Sequence, residues 1–445
     1  MFKSNALALL LLSSGLVTGA CGGDDDDTGT SGAADAGQDQ PDAGESSACP
    51  DHPAVTEMGA VCAISGSDTS PITTDLHLTA GAEYLLDGPV FIGDDAAETV
   101  LTVDAGVKIY GGDGSFLLIQ RGSKIMAAGT AAAPIVLTSA KALGSRGPED
   151  WGGLVVNGRA PINNADNQDG SAPGEAGTGR YGGNTATDSS GVLNYVRVEF
   201  AGNKVDSENE LNGIAFQGVG SGTDVDFVQT HMTSDDGIEF FGGTVQVKHI
   251  VVTGSDDDSI DWTGGWQGKA QFVVAEQSAA SGAEAERGIE ADNLEADNSA
   301  TPFSNPTLSN FTLIARAGNT ANGMRLRRGT KGSFHNFVVT GFEGFCIRVS
   351  ESQTDANVDD NSLTISNHVH NCTLGAAADG KAVDLVAGQS TVADPNLTAW
   401  QPQAGSDALG IGNSPSDAFF ESVDYAGAFD GTTDWSAGWI ETATN

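Results

Sequence analysis

Two adjacent stretches decide the fold: DFVQTHMTSDDGIEFFGG, residues 226–243, and HIVVTGSDDDSIDWTGG, residues 249–265. Aligned on each other, Phe227 is answered by Ile250 and then Phe272, at spacings of 23 and 22 residues. Ile238 is answered by Ile260, and Asp235 and Asp236 by Asp257 and Asp258, each 22 residues on. A unit of that length is too short for a globular domain. It has the size of one coil of a solenoid, which buries its apolar face only by stacking on its neighbours.

Extended along the chain, the first column holds Tyr195, Phe227, Ile250, Phe272, Phe311, Phe337 and Cys372. The second holds Ile214, Ile238, Ile260, Ile289, Met324, Ile347 and Val383, each opening an apolar–x–apolar triplet: IAF, IEF, IDW, IEA, MRL, IRV, VDL. Such alternation marks short strands with one face inward. The expected fold is all-β, a right-handed parallel β-helix with N-terminal and C-terminal caps. Both columns are expected to point into the coil, which makes Phe272 and Phe337 core residues. Asn310, Asn336 and Asn371 are expected to stack as an amide ladder at a corner.

Outside the solenoid the chain changes character. Residues 1–20 carry Lys3 and a short apolar run and read as a signal peptide, too short to span a membrane. The run ends Val-Thr-Gly-Ala-Cys and looks like a bacterial lipobox, which implies cleavage before Cys21 and a lipid on its thiol, with Gly22 favouring the outer membrane. Residues 21–48 have almost no large apolar side chain and read as a disordered acidic tether. Residues 49–84 read as the N-terminal cap and 85–393 as the β-helix. A Gly/Asn/Asp-rich insertion, 163–190, should lie outside the stack, and 279–306 and 350–361 read as longer excursions. Residues 394–445, rich in Trp and Phe, read as the C-terminal cap that hides the last coil.

The formal charge is −40, from 60 acidic and 20 basic residues. A field of that sign repels nucleic acid and favours cations. With Cys21 lipidated, four cysteines remain, an even number in an oxidising compartment. Cys49 and Cys62 form the natural local pair. Cys346 and Cys372 lie one coil apart and either pair or leave Cys372 a buried thiol. His368 and His370 share a strand face and read as a surface pair, since zinc would need a third ligand.

Several motifs, in one order, carry a resemblance: RGSKIMAAGT, DWGGLVVNGRAPIN, YVRVEFAG, NELNGIAFQGVGSGT, SDDGIEFFGGTV, DDDSIDWTGGWQGKAQF and GIEADN. Over about residues 60–340 the chain resembles a family of bacterial outer-membrane lipoproteins that includes a leptospiral surface lipoprotein. The resemblance implies a β-helical lipoprotein at the cell surface, anchored in outer-membrane lipid through Cys21, and implies no known reaction.

The middle residue of each triplet should point outward. In order these are Ala215, Glu239, Asp261, Glu290, Arg325, Arg348 and Asp384. Three carboxylates stacked at ~4.8 Å repel by ~1 kcal/mol per neighbour in water. Asp235, Asp236, Asp257 and Asp258 sit at the corner before the same strands. Seven carboxylates therefore converge on one edge, with Arg325 and Arg348 the ion-pair candidates one coil later. Two readings stand: a site for Ca2+ or another ligand, since clustered oxygens suit calcium, or a solvated acidic face. The same positions are similar to the DG, DDC, GHG and RIK motifs of polygalacturonases. Those fall here at Asp236–Gly237, Asp256 to Asp258, Arg287–Gly288 and Arg325 to Arg327, with Asp258 in place of the cysteine and Arg287 in place of the histidine. The function expected is a binding or interaction module without established catalysis. Its partner would be a polysaccharide or an outer-membrane protein. The alternatives are a polysaccharide hydrolase or lyase and an accessory lipoprotein for uptake.

Overall fold

The structure, a computed structural model, describes residues 49–206, 209–278, 287–374, 381–386 and 390–444. The signal segment, Cys21 and the tether lie outside the described residues. Most described elements are short strands stacked in parallel into two long sheets. The fold is a parallel β-helix.

One sheet runs up one flank in coils. In the early coils it is split into two tracks. One track joins Val61–Ile64, Glu83–Leu86, Lys108–Gly111 and Ile135–Ser139, and the other joins Leu76–Leu78, Val100–Val103 and Lys124–Ala128. Both tracks pair with the single long strand Gly191–Glu199 and fuse there. The fused strand continues through Asp224–His231, Gln246–Thr253, Lys269–Gln277, Thr307–Ala315 and Gly332–Thr340. It then splits again into Leu363–Ser366 and His368–His370. A left-handed residue marks each fusion point: Tyr195, Phe227, His249, Phe272, Asn310, Asn336 and Asn367 all have positive φ.

That residue corrects the first column. It inserts one position into each long strand, so the inward residues in register are Val196, Val228, Ile250, Val273, Phe311 and Phe337. Tyr195, Phe227 and Phe272 occupy the outward kink instead. There Tyr195, Phe227, His249 and Phe272 form one ring stack, with successive centroids 4.4, 4.3 and 5.1 Å apart. Non-glycine residues adopt this conformation at a cost, asparagine most readily, and stacking offsets it by ~1 kcal/mol per pair. Asn367, not Asn371, completes the amide end of the ladder.

The second column keeps its register through six coils: Ile214, Ile238, Ile260, Ile289, Met324 and Ile347 are aligned and buried. Its seventh member does not hold. Leu374 pairs with Ile347, whereas Val383 is 51% exposed in the helix Lys381–Leu385, which also holds Asp384. A helix, Ser352–Asp359, occupies the excursion at 350–361. Cys49 is bonded to Cys62 and Cys346 to Cys372. Cys372 precedes a strand of the second sheet and so is not in the first-sheet column. His368 and His370 are fully buried and stacked rather than at the surface, with ring centroids 5.1 Å apart.

Both caps differ from expectation. Parallel pairing already begins within 49–84, at Val61–Ile64 and Leu76–Leu78, and only Val55–Met58 runs antiparallel at the start. At the far end, Ala382, Leu385 and Val386 of the short helical turn join the core. Residues 394–444 do not sit on the last coil. They lie along the outer face of the first sheet. Gly427 N–H donates to the Asn336 carbonyl, Ala428 N–H to Thr312 Oγ1, Glu421 N–H to Gln271 Oε1 and Glu441 N–H to Gln229 Oε1. Trp435 and Trp439 pack edge-on to the ring stack. The segment thus covers a mainly apolar outer row, Val274, Thr312, Val338 and Val369, that the solenoid cannot bury by itself. Among the described residues no helix is long and apolar enough to cross a membrane.

Candidate functional site

The outer face of the second sheet carries one unbroken row of paired residues: Phe91, Leu118, Val155, Ala215, Glu239, Asp261, Glu290, Arg325 and Arg348. It changes character twice. Phe91 to Ala215 are apolar and packed against Ile162, Ala172 and Tyr181, the last two from the insertion. The insertion folds as a hairpin, Ser171–Pro173 with Arg180–Gly182, and shields this half. Beyond Ala215 the row becomes acidic, then basic, and the insertion reaches only its first acid, Glu239, through Glu175 and Tyr181.

The acidic stretch is crowded rather than fanned into water. Asp235, Asp236, Asp258 and Glu290 are buried, and Glu239 and Asp261 half-buried. Carboxylate oxygens approach within 4.8 Å of one another in three sets: Asp235, Asp236 and Asp257; Asp236, Glu239 and Asp261; Asp258, Asp261 and Glu290. Burial, then the charges of Asp235 and Asp261, pushes the Asp236 carboxyl well above its usual range. Burial, then Glu175 and Asp235, does the same to Glu239, and burial, then Glu239 and Glu290, to Asp261. Asp258 is also raised by burial, although Arg287 opposes the shift. Glu175, from the insertion, is open to solvent but crowded by protein, and with Glu210 nearby its carboxyl rises to about 7.

The basic stretch is tied to the acids at one end. Arg287 pairs with Asp258 Oδ2 at 2.9 Å and Glu290 Oε1 at 2.6 Å. Arg327 pairs with Glu290 and with Asp292 Oδ1 at 2.8 Å, and Arg328 with Asp292 Oδ2 at 2.8 Å. Arg325 reaches Glu290 only at 3.8 Å. Burial, then repulsion from Arg327 and Arg287, lowers its pKa. Glu290 is therefore paired with three arginines, of which Arg325 is the most distant, and the Arg325 Nε is buried without a hydrogen-bond partner.

A family model described as a pectate-lyase-like beta helix domain matches residues 70–440. The chain belongs to the pectate-lyase-like β-helix family. No curated protein and no solved structure matches it. The match takes in the second sheet and all of the first sheet except the strands Val55–Met58 and Val61–Ile64.

Within this family member the three acidic sets are not equivalent. The set with Asp258 and Glu290 is already neutralised by Arg287 and Arg327 and does not suit a cation. The set of Asp236, Glu239 and Asp261 does. Among the described residues none of these three is in an ion pair. Asp236 Oδ1 accepts the Asp258 N–H at 3.0 Å and Glu239 Oε2 accepts from Asn212 Nδ2 at 2.7 Å. Asp261 Oδ1 is buried without a hydrogen-bond partner. Hard oxygen donors at this density fit a divalent ion such as calcium.

Sequence reasoning placed the row correctly from Ala215 to Arg348. It missed Asp292 and Arg327 as partners, although continuing the alternation past IEA and MRL would have found both. It weighed Arg287 only as a replaced histidine. Glu175 and Asn212 carried no readable signal, because the insertion and a corner bring them in.

Proposed function

We propose that this protein is a lipid-anchored module at the outer-membrane surface that binds an acidic polysaccharide through a divalent cation, calcium, on the outer face of its second sheet. One observation carries the reading: Asp236, Glu239 and Asp261 converge with no ion pair among the described residues, and Glu239 and Asp261 stand in the same row as Arg325. Calcium would be held by those three carboxylates and would supply positive charge to a glycan carboxylate. Arg325 would take a second carboxylate about three coils along, ~14 Å at the strand spacing. The family description, pectate-lyase-like, supports a polysaccharide as the ligand class. The lipobox-like run at Cys21 supports the anchor. Co-sedimentation with a panel of acidic polysaccharides tests the reading. Binding should appear in calcium, vanish in chelator and weaken at least tenfold in Arg325→Gln. Equal binding in chelator would overturn it. For the anchor, Cys21→Ser should move the protein out of the detergent phase and the outer-membrane fraction; unchanged partitioning would refute it.

A second reading, cleavage of a glycosidic bond, is favoured by the raised carboxyls of Glu239 and Asp261 beside the arginine-paired Glu290. Two carboxyls on adjacent coils are the groups such hydrolysis requires; burial raises Glu290 as well, while Arg287 and Arg327 oppose the shift and favour its ionised form. Release of reducing ends, lost in Asp261→Asn, would establish it.

A further inference from the structure

A separate cavity opens at the other flank, where the C-terminal segment bridges the corner after the long strands. Glu199, His231, Thr253 and Glu276 stand in register there. The next residues form a corner column of their own: Phe200, Met232 and Gly254, all with positive φ. Their N–H groups donate to the carbonyls of His231, Thr253 and Glu276 at 2.8, 2.8 and 3.0 Å. The side chain shrinks along this column from Phe to Met to none. A Cβ at Gly254 would lie 2.8 Å from Met232 Sδ. Met232 lies over Gly254, and beside them a hollow remains that Trp400, Thr442 and Thr444 of the C-terminal segment line without filling. The result is a cavity of about 140 Å³. A cavity of ~150 Å³ holds benzene; a pyranose is larger and would enter this one with part of its edge at the mouth.

Its chemistry narrows the occupant. Met232 and the Trp400 ring give it apolar walls. Glu276 is the polar centre: Oε1 accepts from Arg316 Nε and Oε2 from Trp400 Nε1, both at 2.6 Å. A carboxylate has about four acceptor sites, so one remains on each oxygen, a pair suited to two neighbouring hydroxyls. Arg316 cancels the charge of Glu276. His231 adds none, because its Nε2–H donates to the Ala443 carbonyl at 3.0 Å while Nδ1 accepts from Thr253 Oγ1 at 2.7 Å. A charged ring gains nothing in such a site. A neutral ring with one C–H face for the indole and an edge of hydroxyls fits it. We propose that this cavity binds a single neutral pyranose, at a site distinct from the acidic face.

Saturation-transfer NMR and tryptophan fluorescence with neutral methyl pyranosides (gluco, galacto, manno and N-acetylglucosamine) test it on the full chain. At least one should bind saturably in the millimolar range, equally in calcium and in chelator. Two variants leave the solenoid core untouched. Thr444→Trp fills the roof from the chain end, and Glu276→Gln keeps the shape but removes the anionic acceptor. Each should weaken binding at least tenfold with the melting temperature held. No binding by any pyranoside, or binding retained in either variant, overturns the proposal. So does a calcium requirement, which would move the ligand to the acidic face.

Discussion

The two halves of the outer row on the second sheet share one backbone and differ only in what covers them. Phe91, Leu118, Val155 and Ala215 lie under or beside the insertion and act as a second small core. Glu239, Asp261 and Glu290 continue the same ladder in the same register. The solenoid is built by the inward residues, and the outward ones are free to differ. What decides their role is whether another segment lies on top. The first sheet teaches the same lesson, since its mainly apolar outer row is covered by residues 394–444 rather than left to water.

Swapping chemistry between the halves gives the largest effect. Leu118→Asp should destabilise the protein by about 4 kcal/mol or more, because a carboxylate would be buried without a partner. Asp261→Leu, at the equivalent place four coils on, should leave stability unchanged or raised, because it removes a carboxyl already held above its usual pKa. Chemical denaturation of both compares them directly. Equal losses would mean that the acidic half is as well matched to its residues as the covered half.

A smaller effect separates the halves by pH. Asp236, Glu239, Asp258 and Asp261 have folded pKa values above their ordinary ones. The folded state then holds more protons than the unfolded chain. The stability this contributes is complete below the ordinary carboxylate range and is lost as pH rises through the raised values. Glu175 follows the same sign between 4.5 and about 7. In chelator these groups should therefore lower the melting temperature as pH rises across that window, against the rise contributed by His231, His335, His368 and His370, whose pKa values burial lowers. The difference between the wild type and Glu239→Gln isolates the carboxyls: relative to the variant, the wild type should lose stability as pH rises, and a wild type that gains relative to the variant would show that Glu239 is stabilised as a carboxylate.

The smallest effect probes the kinked ladder of the first sheet. His249→Asn places there the residue type found at 310, 336 and 367. It loses two ring stacks, ~0.5–1.5 kcal/mol each, and gains a residue that adopts positive φ more easily. A net loss under about 2 kcal/mol is expected from denaturation curves. A much larger one would mean that Trp435 and Trp439 depend on the imidazole to hold the covering segment.

How much was legible follows from where the strand period holds. IAF, IEF, IDW, IEA, MRL and IRV alternate cleanly, and so the second sheet and its outer row were readable residue by residue. In the first sheet, Phe227–Val228 and Phe272–Val273 place two apolar residues side by side, and the left-handed kink between tracks is what assigns one outward and one inward. A period-two pattern cannot reveal an inserted residue. Val383 failed because Leu374 takes the place beside Ile347, and Val383 falls beyond it in the helix Lys381–Leu385. The site was half legible. The acidic row was on the page, but the pairing of Glu290 with Arg287 and Arg327 depends on contacts across coils, and the arrival of Glu175 depends on how the insertion folds back.

The measurement that bears most directly on the acidic face is calcium titration calorimetry on the wild-type chain, Glu239→Gln and Asp261→Asn, in sodium chloride at matched ionic strength. Saturable calcium binding in the wild type is expected, weakened at least tenfold in each variant, with Arg287→Gln leaving it intact or tighter because the arginine-bound set is not the site. Absence of binding in the wild type, or equal affinity in all of them, would contradict a cation site at Asp236, Glu239 and Asp261.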